Sequence, residues 1–237
     1  MQKHGKIFVA GATGAVGRVL CQLLVKAGYT VFGMTRNKEK SEFLQSLNVE
    51  PVIVDVYDGE NLSKIIKKIE PNVVFHQLTD LPFGLPTEKM IQGRINNERI
   101  RDIGTRNLVT SANEAKAKRI IAQSICFMYE PGNKPFLESS QLASVALQEF
   151  ENQILSANIE GIVLRYGMFY GPYTGFEEPA RKGAVHVDAA AFAGLLAVTH
   201  GKRGVYNVAE DDGEVSITKA VSELKWNAQF RMEISVC

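Results

Sequence analysis

The stretch KIFVAGATGAVGRVL, Lys6 to Leu20, constrains the fold more than any other part of this chain. A β-branched and aromatic run ends at a glycine, and glycines then recur as Gly11, Gly14 and Gly17 before a segment of helical periodicity. Val16, Leu20, Leu23, Leu24 and Ala27 fall on one helical face, and Gly28 is placed to cap its end. A glycine triplet between a buried strand and an amphipathic helix allows a tight turn, close backbone approach to a pyrophosphate, and close packing of helix on strand. The helix N-terminus then offers free N–H groups and a positive dipole end to phosphate. The spacing is therefore read as the phosphate cradle of a dinucleotide-binding turn.

The remainder alternates in the same way. Strands are expected over 30–34, 49–56, 72–78, 119–125, 161–167 and in GVYNVA (204–209). Helices are expected in KEKSEFLQSLN, in NLSKIIKKIE ahead of Pro71, over about 88–115, over 142–157, in AAAFAGLLAVTH and in SITKAVSELK. Such a βαβ series implies an α/β fold with a doubly wound parallel sheet, a Rossmann fold, whose ligands sit at the carboxyl ends of the strands where strand order reverses. The 237 residues suit a single domain, with a dinucleotide-binding core over about 1–165 and a small C-terminal substrate lobe over about 166–237 interleaved with it.

Composition narrows the partners. Lys plus Arg number 27 against 26 Asp plus Glu, a net charge of +1 that argues against a nucleic-acid footprint. Cys21, Cys126 and Cys237 are odd in number and widely spaced, so they form neither a disulfide framework nor a metal-binding pair. No apolar run approaches a membrane span, and MQKHGK lacks the apolar stretch of a signal peptide, so a cytoplasmic location is expected.

The end of the second strand bears on the cofactor. An NAD-binding protein commonly carries a carboxylate there for the ribose 2′-hydroxyl, but this chain reads GMTRN. Thr35 is neutral and Arg36 can stack on adenine or pair with a 2′-phosphate, which favours NADP(H), with NADPH preferred over NADH. Asp55, closing the third strand, is placed to meet the adenine amino group, and Leu78 and Thr79, closing the fourth, would lie beside the ribose.

The chain resembles the extended and atypical short-chain dehydrogenase/reductases, the NAD(P)-dependent epimerase/dehydratase family. The resemblance rests on GATGAVG (11–17), VDV (54–56), VVFHQLTD (73–80), GTRNLV (104–109), RIIAQS (119–124), VLRYGMFYGP (163–172), HVDAAA (186–191) and GVYNVAEDD (204–212), which occur in family order along nearly the whole chain. It implies that Gly11, Ala12, Thr13, Gly14, Ala15, Val16 and Gly17 hold the pyrophosphate and that Asp55 and Val56 flank the adenine. It further implies that Tyr170 to Pro172 border the nicotinamide and that His186 to Asp188 shape the substrate side. A homodimer through the long helix, as in relatives, is compatible with the sequence.

The family's proton chemistry uses a Tyr-x-x-x-Lys pair on one helix face, the ammonium lowering the phenol pKa. Seven tyrosines are present (29, 57, 129, 166, 170, 173 and 206) and none has lysine four residues later. If Glu151 takes the acidic position that follows the family's lysine, Ala143 and Leu147 stand where the pair belongs. The supporting serine is displaced as well, with Ile125 in its place and Ser124 one residue off, and Arg101 replaces the asparagine that precedes the GT pair.

Tyr129, Tyr166 and Tyr170, with Ser124, are the candidates for non-standard proton chemistry. Each aromatic also reads as a packing side chain. Cys126 and His76 read as buried and inert, and Asp80 and His186 as pocket polars. Three functions remain open: an NADP(H)-dependent oxidoreductase acting on a small carbonyl-type molecule, a non-catalytic NADP(H)-binding sensor or partner-binding module, and an epimerase or dehydratase that uses the cofactor transiently. The short segment after the sixth strand disfavours nucleotide-sugar substrates.

Overall fold

The computed structural model describes residues 4–232, so Cys237 lies outside the described residues. Strand β1 (Lys6–Ala10) leads through the glycine turn into helix α1 (Ala15–Lys26), followed by β2 (Thr30–Thr35), α2 (Glu39–Ser46), β3 (Glu50–Ile53), α3 (Gly59–Ile69) and β4 (Val73–His76). The chain continues with α4 (Thr87–Arg99), a π segment (Ile100–Gly104), α5 (Thr105–Glu114), β5 (Arg119–Ile125), α6 (Val145–Leu155) and β6 (Glu160–Tyr166). Then come β7 (Met168–Tyr170), β8 (Ala184–His186), α7 (Val187–Ala197), β9 (Gly204–Val208) and a second π segment (Ala220–Leu224).

Seven parallel strands form one sheet in the order β3-β2-β1-β4-β5-β6-β9, and β7 and β8 form a separate parallel pair. From β1 the chain winds outward through β2 and β3, then returns to the other side of β1 as β4. The reversal therefore falls between β1 and β4, whose last paired residues are Ala10 and His76. The last main-sheet strand, β9, lies on β6, so the C-terminal part of the chain completes the sheet.

Buried apolar side chains cover both faces. One cluster joins Val16, Leu20, Leu23 and Leu24 of α1 to Ala190, Ala193 and Ala197 of α7 and to Phe75 and Ile121 of the sheet. The other joins Leu62 and Ile66 of α3, Leu108 of α5, and Leu147, Phe150 and Ile154 of α6 over Val74 and Ile120. Continuous apolar strands follow from this two-sided burial. Helix ends match their local chemistry: Gly28 (φ +86°) ends α1, and the Asp58 carboxylate accepts from the Asn61 N–H at the start of α3.

Several expectations change. The third strand stops at Ile53 because Asp55 turns the chain, its Oδ1 accepting from the Tyr57 N–H at 2.9 Å. The single helix expected over 88–115 is two helices joined by the π segment, and SITKAVSELK closes as a second π turn. The pair β7/β8 was not expected, because three-residue strands leave too little periodicity to read.

Candidate active site: a cavity at the strand-order reversal

The glycine turn is made by contact as much as by backbone freedom. A Cβ on Gly17 would stand 2.0 Å from the Gly11 carbonyl oxygen, and one on Gly11 (φ +91°) would stand 2.4 Å from the Gln77 carbonyl oxygen. Gly14 caps α1 without a side-chain bond, and the first backbone bond into the helix is donated by Arg18 to the Gly14 carbonyl. The N–H groups of Ala15, Val16 and Gly17 therefore point past the helix end, where an anion completes their bonding.

This turn opens into a cavity of about 700 Å³ along the carboxyl ends of the strands. Of the residues expected at the cofactor, Gly11, Thr13, Gly14, Ala15, Arg36, Val56, Leu78 and Thr79 stand in its wall. Ala12 and Val16 are buried beneath the turn, and Gly17 packs against Gly11, so these three can serve a ligand only through the backbone. Asp55 is absent from the wall, because its carboxylate is engaged in the turn at Tyr57.

The two halves of the cavity differ in chemistry. Over β1 and β2, Arg18, Arg36 and Lys40 gather beside Thr35 and Asn37. Arg18 donates to the Thr13 carbonyl at 3.1 Å and lies 4.0 Å from the centre of the Tyr173 ring. Arg36 meets Asp80 at 3.6 Å. Over β4 to β6 the wall is aromatic, with Phe127, Phe150, Phe169 and Phe176. Arg101 and His76 are among the polar residues that line the cavity, with Gln77, Asn97 and Gln123.

His76 is neutral. Its Nδ1 faces the Leu78 N–H at 3.4 Å and its Nε2 lies 2.9 Å from Thr105 Oγ1, which donates onward to the Ile100 carbonyl at 3.3 Å. Burial, reinforced by the Arg101 charge, pulls its pKa down to about 4.

None of the four proton-chemistry candidates lines this cavity. Ser124 is buried and donates to Glu151 Oε1 at 2.6 Å. Tyr129 donates to Asn207 Oδ1 at 2.6 Å, accepts from Arg165 Nη1 at 3.0 Å, and is pushed up to about 12 chiefly by burial. Tyr166 is fully buried, its hydroxyl beside the Gln77 amide without a well-formed hydrogen bond, and burial raises its pKa further. Tyr170 donates to Glu210 and accepts from Arg231 at 3.0 Å, and burial with that acidic partner pushes it up to about 12. Phenols so placed are poor acids near neutrality. These assignments are corrected: Ser124 and Tyr129 belong to one network around the buried Arg165–Glu151 pair (2.6 Å), and Tyr170 to another.

Other readings of polar residues resolve in the same geometry. Cys126 is 1% exposed with its thiol pushed up to about 12 by burial, an inert position. His186 caps α7, its Nδ1 accepting from the Asp188 N–H at 3.2 Å. Asp80 does reach the cavity, held by Arg36.

A family described as NAD(P)H-binding matches residues 11–171, from the cradle to the turn after β7. The chain belongs to this family. A 3-diazoavenalumate denitrifying reductase from a Streptomyces species is 32% identical over 232 residues, covering 92% of this chain and 72% of that protein. Eugenol synthase 2 of Clarkia breweri is 31% identical over 91 residues, covering 34% of this chain and 29% of that one. Among solved structures, the fold matches the Thermotoga maritima UDP-glucose 4-epimerase with a TM-score of 0.78 at 18% identity, over 95% of this chain and 94% of that one. It also matches the Bordetella bronchiseptica enzyme WbmG with a TM-score of 0.79 at 15% identity, over 97% and 91%.

The cavity also takes in three cationic residues that were not assigned to it from the sequence. Arg18 follows the last glycine directly, so its position one helical turn after Gly14 was the available signal. Lys40 and Arg101 needed the fold to bring α2 and the π segment to the cavity.

Proposed function

We propose that this NAD(P)H-binding protein is an NADPH-dependent reductase that delivers hydride to a small, strongly electrophilic substrate without a tyrosine–lysine pair. The observation that carries the reading is the continuity of the glycine cradle with an aromatic-walled compartment in one cavity. NADPH supplies a hydride when bound. The Ala15, Val16 and Gly17 N–H groups would receive its pyrophosphate, while Arg18, Arg36 and Lys40 favour a 2′-phosphate over a free ribose hydroxyl. Val56, Leu78 and Thr79 would border the adenosine and ribose, and the phenylalanine walls exclude water from the transfer.

The withdrawal of the four candidate acids from the cavity bears on the substrate. Reducing a ketone requires a proton on the developing alkoxide. Replacing a diazonium group by hydrogen requires only a hydride: R–N₂⁺ and H⁻ give R–H and N₂, with the nitrogen leaving on the electron pair of its former bond. The phenols that do stand in the wall, Tyr57 and Tyr173, lie under Arg99 and Arg18 rather than beside a lysine; a cavity so lined suits the second kind of acceptor, and the similarity to a denitrifying reductase that acts on a diazo compound supports the same class.

The test is NADPH absorbance decay and dinitrogen release with an arenediazonium salt, run against a panel of small carbonyl compounds, with Arg36→Ala alongside. Enzyme-dependent decay with equimolar gas release is expected, as is a larger loss of affinity for NADPH than for NADH in Arg36→Ala. A second reading, a cofactor-binding sensor, draws on the withdrawal of all four candidate acids from the cavity. Tight NADPH binding with no turnover on either substrate class establishes that reading instead.

A further inference from the structure

Arg101 has a position that cofactor binding does not explain. It lies in the π segment Ile100–Gly104, where the change of helical register sets its direction, and it lines the cavity over the β4–β6 half. Its backbone carbonyl accepts from Gln153 Nε2 at 3.4 Å, yet its guanidinium has neither a hydrogen bond nor an ion pair among the described residues. The nearby acids are otherwise placed: Glu151 is held by Arg165 at 2.6 Å, Asp102 by Arg106 at 2.5 Å, and Glu98 is exposed. Asp80, the one carboxylate among the lining residues, pairs with Arg36 on the other half.

The Arg101 side chain is half-buried, and burial pulls its pKa below the ordinary value against the opposing influence of Glu98 and Glu151, so its cation is incompletely paired where it faces the cavity. The cofactor's phosphates have their own receivers at the α1 N-terminus and in the Arg18, Arg36 and Lys40 group. What remains beside Arg101 is the compartment walled by Phe127, Phe150, Phe169 and Phe176.

We propose that Arg101 receives the carboxylate of an aromatic acid whose ring lies against these phenylalanines, so that the substrate is an anionic aromatic compound held by its acid end. This rests on the reading of the compartment as the substrate side of a reductase. A planar guanidinium takes a carboxylate in two parallel hydrogen bonds, which fixes direction as well as charge. The bound ring then presents its substituents toward the nicotinamide side of the cavity in one orientation, and Arg101 acts as a specificity residue.

The test is binding rather than turnover, so it stands apart from the reductase reading. With NADP⁺ present, cinnamate and its methyl ester are titrated into the wild type, Arg101→Met and Arg101→Lys by calorimetry, and NADPH affinity is measured for each protein. Losing a charge-assisted pair of this kind is expected to weaken cinnamate roughly 10- to 100-fold. The wild type should bind the acid at least that much better than the ester, Arg101→Met should erase the preference, and Arg101→Lys should restore part of it. NADPH affinity should stay within about twofold in all three proteins. Equal binding of acid and ester, or binding of neither, overturns the proposal. So does a loss of NADPH affinity in Arg101→Met, which assigns the residue to the cofactor. If Arg101→Met does not fold, the acid–ester comparison on the wild type decides alone. Acid-selective binding without turnover of any electrophile leaves this inference standing and removes the reductase.

Discussion

Tyr129→Phe separates a structural phenol from a catalytic one. The hydroxyl joins Arg165 to Asn207 inside a buried network, so its removal leaves two partners short of a bond. Stability should fall by about 1–3 kcal/mol in urea denaturation. Turnover per folded molecule should stay close to wild type, whereas loss of a true general acid costs roughly 10²- to 10⁴-fold. A fall of that size would return Tyr129 to the chemistry. His76 makes a different prediction. Its proton binds near 6.5 in the unfolded chain but only near 4 in the folded one, so between those values the unfolded state holds more protons. Its contribution is complete above pH 6.5 and declines as pH falls toward 4, by about 3 kcal/mol in all. Unfolding curves at pH 7 and 4.5 should show that decline, and His76→Gln should lose less over the same interval. At this scale the cradle was legible because glycine spacing is a local signal. The withdrawal of Tyr129 and Ser124 was not, since it depends on Glu151, Arg165 and Asn207 from distant segments.

Among elements, helix α6 is the one that carries the buried carboxylate of the Arg165–Glu151 pair. Leu147 of this helix is packed in the core, and Glu151, four residues on, is drawn to Arg165 of β6 with Ser124 of β5. The helix ties two strands together from below. Glu151→Gln keeps the shape but leaves a buried cation without its counter-charge, so it should cost about 3–5 kcal/mol. The double variant Glu151→Gln/Arg165→Met should recover most of that loss. If both variants match the wild type in urea, the pair contributes nothing to holding the strands. Strand and helix order could be read because apolar runs of one length alternate with periodic runs of another. The π segment could not, because a slip from i→i+4 to i→i+5 bonding leaves nearly the same apolar pattern, and no composition marks where it falls.

At the scale of the whole molecule, the sheet is continuous and one cavity runs along its strand ends, cationic over β1 and β2 and aromatic over β4 to β6. No helix among the described residues is long and apolar enough to cross a membrane. A ligand that spans the reversal between β1 and β4 touches both halves of the core, so its binding should raise the melting temperature of the entire domain. At a hundredfold excess over its dissociation constant, NADPH adds about 2.7 kcal/mol, or roughly 5–10 °C for a chain of this size. NADH at equal concentration should give a smaller shift. Equal shifts would remove the preference assigned to Arg18, Arg36 and Lys40.

The ion pair between Arg36 and Asp80 bears on how the proposed preference would be expressed. Arg36 follows β2 and Asp80 follows β4, so the contact spans the reversal from both sides. Asp80 is thus a tethered competitor for the site an incoming phosphate would occupy, present at the high local concentration that covalent linkage provides. Cofactor capture becomes an exchange of one anion for another. If Arg36 takes a 2′-phosphate as proposed, discrimination between the two nucleotides should be narrower than a free arginine would give, and Asp80→Asn should widen it.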